Sequence, residues 1–124
     1  MYYELATLTL PFGTAGQAAT QVQAFANAPE AQGELLACWT TDIGELNRMI
    51  VLRGFADLAT LEAERQRTQH SASPFGCGDI YQSLSLESFR GFPWMKPVRP
   101  SAESGIVGPV YEIRTYGIKP GGVQ

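Results

Sequence analysis

Histidine and cysteine are nearly missing from this chain of 124 residues: His70 stands alone, and Cys38 and Cys77 are its two thiols. So thin a supply argues against a metal centre. Zinc and its relatives are held by Cys and His at short, repeated spacings, and His70, Cys77 and Asp79 follow none of them. No Ser-His-Asp set can be assembled without His70, and a Cys77–His70 pair has no supporting motif around it. His70 is read first as a surface or capping group. Two cysteines without a secretory pattern read as plain thiols rather than a disulfide. Basic residues are scarce too, with 9 Lys and Arg against 12 Asp and Glu and a net charge of −3. Binding to phosphate backbones needs a basic face, so nucleic acid is not an expected partner. Long apolar runs are absent, and Met1 to Leu10 has a strand pattern rather than a charged segment followed by an apolar core. No membrane partner is expected, and the expected location is the cytoplasm. The GxGxxG and P-loop patterns are absent, and Gly76-Cys77-Gly78 reads as a turn.

What is present suits one globular unit. The hydrophobic fraction of 44% and charged fraction of 17% disfavour disorder. Tyr2 to Leu10 alternates and is rich in Tyr, Thr and Leu, which predicts a strand with two different faces. Pro11-Phe12-Gly13 breaks it, and Thr14 can cap a helix in which Ala15, Ala18, Val22, Phe25 and Ala26 share one face. Leu35 to Thr40 reads as a second strand. Asp42-Ile43-Gly44-Glu45 is a turn, and Arg48 to Arg53 is a third strand, closing a hairpin with a longer loop. Asp57 should cap a second helix from Leu58 to about Thr68, with Leu58 and Leu61 inward and Glu and Arg on the wet face. His70 to Asp79 is loop with at most a turn of helix. Tyr81 to Phe89 alternates again as a fourth strand.

The order βαββαβ predicts an α+β, ferredoxin-like domain: a four-stranded antiparallel sheet with two helices on one face. One parity offers Tyr3, Leu5, Leu84 and Leu86, the other Tyr2, Leu8, Leu10 and Phe89. Both faces ask for burial. Sheet-to-sheet packing of two copies, an isologous homodimer closing a dimeric α/β barrel, meets that demand. Beyond Gly91 the composition changes to that of a linker, with Pro93, Pro97, Pro100 and Pro109. Then VYEIRTYGIKPGG restates the opening YYELATLTLPFG, with Tyr111, Glu112, Thr115 and Gly121 over Tyr3, Glu4, Thr7 and Gly13. Chance similarity between two short amphipathic strands is the competing explanation. A strand so isolated must satisfy its backbone at a sheet edge of its own chain or of a partner.

The run CWTTDIGELNRMIVL, Cys38 to Leu52, resembles the hallmark of the NIPSNAP family, with its tryptophan, Thr-Asp-Ile-Gly turn and Leu-Asn pair. The opening and closing segments both resemble that family's first strand. The resemblance covers residues 2 to 96 as one unit. It implies three parts: residues 1–96 as a NIPSNAP-like domain, 97–109 as a Pro/Gly-rich linker, and 110–124 as the first strand of a second, truncated repeat. Members occur with one unit or two in tandem. The fold is similar to the dimeric α/β barrels, which include cofactor-free monooxygenases and haem-handling enzymes. One departure stands out. Where relatives often carry His-Leu-Trp-x-Tyr on the third strand, this chain has Val51-Leu52-Arg53-Gly54-Phe55, which removes the histidine and puts Arg53 in place of tryptophan.

Two functions from different classes follow. In one, the chain is a dimeric small-molecule-binding or assembly module. In the other, it is a cofactor-independent monooxygenase- or isomerase-like enzyme working by positioning and desolvation in an apolar pocket. No cofactor is expected; a haem-binding variant would have to use His70. For a small apolar or anionic ligand the candidate residues are Trp39, Arg53, Tyr3 and Asn47. Trp39 is a core residue or an apolar wall between sheet and helices. Arg53 is an ion-pair partner or an anchor for an anion. Glu4 pairs across the sheet or with an arginine. Thr40, Thr41, Asp42 and Asn47 stabilise the hairpin or rim a pocket mouth.

Overall fold

The computed structural model describes residues 1–100, 108 and 110–123. Most of the expected linker, residues 101–107 and 109, lies outside the described residues. The elements are β1 (Tyr2–Thr9), α1 (Ala15–Ala26), β2 (Glu34–Thr40), β3 (Arg48–Phe55), α2 (Leu58–His70), a 3-10 turn (Pro74–Gly76) and β4 (Ser83–Arg90). The strands form one antiparallel sheet in the order β2-β3-β1-β4, which is the expected ferredoxin-like α+β arrangement. Asp57 caps α2 as predicted, its carboxylate accepting from the Thr60 amide at 2.7 Å. Thr14 does not cap α1 with its side chain. Its backbone lies near φ −101°, ψ 0° instead of extended, and its hydroxyl turns back to donate to the Pro11 carbonyl at 2.8 Å.

Alternation along the strands sorts residues between two faces. Ala6 and Leu8 of β1, Met49 and Val51 of β3, and Ala18 and Val22 of α1 are fully buried and form one core with Phe75 and Cys77. Burying each of the larger side chains contributes roughly 1.5–3 kcal/mol before conformational entropy is counted. Leu84 and Leu86 join this core. The register sets Leu84 opposite Leu8 and Leu86 opposite Ala6, so both face the helices and not, as parity along the sequence implied, the side of Tyr3 and Leu5. Phe89 takes their place beside Tyr3.

The reverse face has no helix. Across it run Tyr3 and Leu5 of β1, Ile50 and Leu52 of β3, Ala37 and Trp39 of β2, and Phe89 of β4. Two positions on α2 differ from the expectation: Leu58 is 56% exposed, while Glu64 on the supposed wet face is 1% exposed. The residues of α2 that pack inward are Leu61, Glu64 and Thr68, spaced three and four apart as one helical face requires. Among the described residues, no helix is long and apolar enough to cross a membrane.

Candidate functional site

The densest chemistry lies between the sheet and α2. Glu4 and Arg53 sit directly opposite one another on β1 and β3, both on the helix-facing side. Arg53 donates from Nε and Nη2 to Glu4 Oε1, at 3.2 and 2.5 Å, and from Nη1 to Glu64 Oε1 at 2.5 Å. The Nη2 group also reaches the Thr68 hydroxyl at 3.4 Å. All four residues are at most 2% exposed. Around this hub, Arg65 donates to Glu4 Oε2 at 3.3 Å, and Arg67 donates to Glu64 at 2.7 and 2.9 Å. The Gln32 amide completes the shell of Glu64 at 3.1 Å. Taking charges out of water is costly unless every partner is in place, and here each carboxylate oxygen has a donor.

Aromatic rings frame the cluster. The Arg53 guanidinium lies 4.7 Å from the Phe75 ring centre, and Arg67 lies 3.9 Å from that of Phe25, within cation–π range. Phe75 is fully buried, yet its φ of 54° is left-handed, unusual for a bulky residue. The burial of its ring offsets that backbone cost and closes the loop after α2 over the cluster.

Burial by itself would raise the carboxyl pKa of Glu64. Hydrogen bonds from Arg67 and the Gln32 amide, with the charges of Arg53 and Arg67, outweigh it and hold Glu64 below its ordinary value. Glu64 is therefore a carboxylate locked in the charged form. A general base needs an oxygen free to meet a substrate proton, whereas both oxygens of Glu4 and Glu64 are already engaged.

The four residues singled out from sequence do not converge. Arg53 is the hub of the buried cluster. Trp39 and Tyr3 lie on the opposite, open face, so Trp39 is not a wall between sheet and helices. Asn47 is exposed at the end of the hairpin loop with φ 57°, and its carbonyl accepts from the Leu10 amide at 2.7 Å. Thr41 ties the same hairpin, its hydroxyl accepting from the Arg48 amide at 3.2 Å. Glu64, Arg65, Arg67, Thr68 and Phe75 were missed. The face Leu61–Glu64–Thr68 was the available signal, because it puts a carboxylate in line with a core leucine.

His70 ends α2 beside a cleft of about 470 Å³ lined by Phe25, Ala28, Glu30, Arg67 and Ser71. Its Nδ1 pairs with the Gln66 carbonyl at 2.8 Å, and the ring is exposed. An exposed imidazole on a cleft that it shares with the charged Glu30 and Arg67 does not fit haem, which needs an enclosed apolar slot. Both cysteines are free thiols, and no group of three metal-ligating side chains occurs among the described residues. Burial first, then the neighbouring Asp79 and Cys38, pushes the Cys77 thiol up to about 11. That leaves it poorly suited as a nucleophile.

A family model described as NIPSNAP matches residues 3–73, more than half of the chain. The chain belongs to the NIPSNAP family. The match takes in β1, the hairpin and α2, and hence the whole Glu4–Arg53–Glu64 cluster. An uncharacterized NIPSNAP domain protein from Burkholderia xenovorans is similar in structure, with a TM-score of 0.60 at 16% identity over 78% of this chain and 100% of that one. A NIPSNAP family protein from Agrobacterium tumefaciens reaches 0.60 at 19% identity, over 79% and 98%. A candidate antibiotic biosynthesis monooxygenase from Nitrosomonas europaea reaches 0.51 at 8% identity, over 73% and 98%. At these identities the likeness is one of fold. No curated protein matches the chain.

Within this NIPSNAP unit the open face is touched at two places by the C-terminal segment. The Val98 amide donates to the Tyr3 hydroxyl at 3.0 Å, and the Tyr111 ring lies 5.4 Å from that of Trp39, tilted by 40°. Among the described residues from 110 to 123 there is no strand, so the segment that restates β1 does not extend this chain's own sheet.

Proposed function

We propose that this NIPSNAP chain is an assembly module that acts as a homodimer in the cytoplasm, its two sheets packed through their open faces. One observation carries the proposal: on the side that has no helix, Tyr3, Leu5, Ile50, Leu52, Ala37 and Trp39 make an apolar field across β1, β3 and β2, with Phe89 at its edge and the polar Ser83, Ser85 and Glu87 of β4 as its rim. Four strands about 4.8 Å apart and about 26 Å long give a footprint of roughly 500 Å² before side-chain relief. That is of the order of the ~800 Å² each partner buries in a standard interface. Two-fold packing makes the patch self-complementary, so one apolar face needs no other partner. The buried cluster then serves stability, fastening α2 to β1 and β3 so that the face is presented rigidly. Two free thiols accord with a reducing compartment.

A small apolar guest, in this reading, sits in the seam between the sheets against Tyr3 and Trp39, with Asn47 at the hairpin end. Arg53 does not anchor it, because all three guanidinium nitrogens already donate to carboxylates. An oxygenase-like activity is supported by likeness of fold alone. The restated β1 pattern at 110–124 is best understood as a strand belonging to a second NIPSNAP-like layer.

Sedimentation velocity on the full chain and on Leu52→Asp tests the proposal. Leu52 lies at the centre of the open face, and a carboxylate there would have to be desolvated on pairing. The wild-type chain should sediment as a dimer and the variant as a folded monomer with unchanged far-UV circular dichroism. A wild-type monomer, or a variant that still dimerises, refutes it.

A further inference from the structure

We propose that the C-terminal segment is a built-in competitor for the dimer face, occupying the seat that β1 of a second copy takes on association. This rests on the homodimer proposed above. Three observations point to it. The segment touches the open face at two aromatic positions on different strands, Tyr3 of β1 and Trp39 of β2. It reaches that face by a close approach after β4. The Gly91 amide donates to the Met1 carbonyl at 3.0 Å, and a Cβ on Gly91 would come within 3.3 Å of the Tyr3 ring. Finally, the residue it lays on Trp39 is Tyr111, the position that aligns with Tyr3 when the two β1-like patterns are superposed.

The third observation gives the segment a molecular role. In a face-to-face dimer, the partner's Tyr3 projects from the opposing sheet toward this one. Tyr111 offers the same side chain in the same sequence context to the same face, supplied from within the chain. Its neighbours are also those of an interface: Val110, Ile113, Tyr116 and Ile118 are all largely exposed in the single chain. A strand pattern with no ladder among the described residues, and with apolar side chains still exposed, is suited to exchange with a partner. Association then becomes an exchange. Two chains each release a segment from Tyr3 and Trp39, and each gains the partner's β1 in its place.

The test uses the full chain and its Tyr111→Ala variant, with the dimer Kd measured by sedimentation equilibrium and amide exchange at Val98 followed at low and high protein concentration. A tilted aromatic pair at ordinary strength is equivalent to about two- to tenfold in an equilibrium constant. Because two segments leave per dimer, Tyr111→Ala should tighten Kd by about fourfold to a hundredfold. In the wild-type chain, Val98 should be protected when dilute and should lose protection as the dimer forms. A Kd unchanged by Tyr111→Ala overturns the exchange while leaving the dimer intact. A weakened dimer also overturns it, making the segment part of the interface rather than its competitor. A chain monomeric in both forms, with Val98 still protected, overturns both readings and places the fault in the dimer. Trp39→Ala separates the contacts: it should abolish the effect of Tyr111→Ala, because the ring would have lost its platform.

Discussion

Replacing Arg53 with methionine tests how far the buried cluster holds this domain together. The substitution keeps an unbranched chain of similar length and removes the one cation shared by Glu4 and Glu64. Breaking a buried ion pair from one side costs about 3–5 kcal/mol, because the remaining charge is left without its partner. Here the loss is softened. Glu4 keeps Arg65 at 3.3 Å, and Glu64 keeps Arg67 at 2.7 Å and the Gln32 amide at 3.1 Å. The low end, about 3 kcal/mol, is therefore expected. A domain of this size has about 5–15 kcal/mol of stability in all. At about 4–8 °C per kcal/mol, Tm should fall by about 12–24 °C, read by circular dichroism at neutral pH with urea unfolding as a check. The companion variant Glu4→Leu/Arg53→Met/Glu64→Leu removes the three fully buried charges together and should recover part of that loss but not all of it, because Arg65, Arg67 and the Gln32 amide lose their carboxylate acceptors. If Arg53→Met alone stays within about 0.5 kcal/mol, as an unremarkable surface change would, the cluster is not what fastens α2 to the sheet.

Three further outcomes follow from the same geometry. Glu64 has a lowered pKa in the fold, so below its ordinary 4.5 the unfolded chain binds more protons than the native one; wild-type stability should fall as pH drops from about 4.5 through the depressed value, and Glu64→Gln should flatten that limb in urea titrations. With its thiol pushed up to about 11 and buried against the core, Cys77 should resist a thiol-reactive dye at pH 8 until urea unfolds the chain, when both cysteines should label; rapid native labelling of Cys77 would contradict the placement. Gly33 has φ 79°, and a Cβ there would lie 2.5 Å from the Phe55 ring and 2.8 Å from the Gly54 carbonyl. Gly33→Ala should therefore destabilise by about 1–3 kcal/mol, whereas Gly13→Ala, with a similar φ of 81° and open space around it, should cost less.

What could be read from the residues was what repeats. Alternation located β1 and β4, helical spacing located α1, the Asp57 cap located α2, and the Asp-Ile-Gly-Glu turn with its flanking strands predicted the hairpin. Glu4 was assigned to a cross-sheet or arginine partner, and it has both in Arg53. What could not be read depended on how one element is rotated or slid against another. A lone glutamate on α2 looks wet until the face through Leu61 and Thr68 is known to point at the sheet. Leu84 and Leu86 change faces with a one-residue slip of β4 against β1, and that register is a matter of pairing between distant strands, which periodicity along one of them does not carry. The C-terminal segment shows the limit most clearly. Its alternation is as regular as that of β1, yet it forms no strand here, because a strand is a property of two chains of hydrogen bonds and a pattern supplies one of them. Periodicity identifies a face that must be covered. What covers it is decided by competition between surfaces, which a pattern along one strand does not encode.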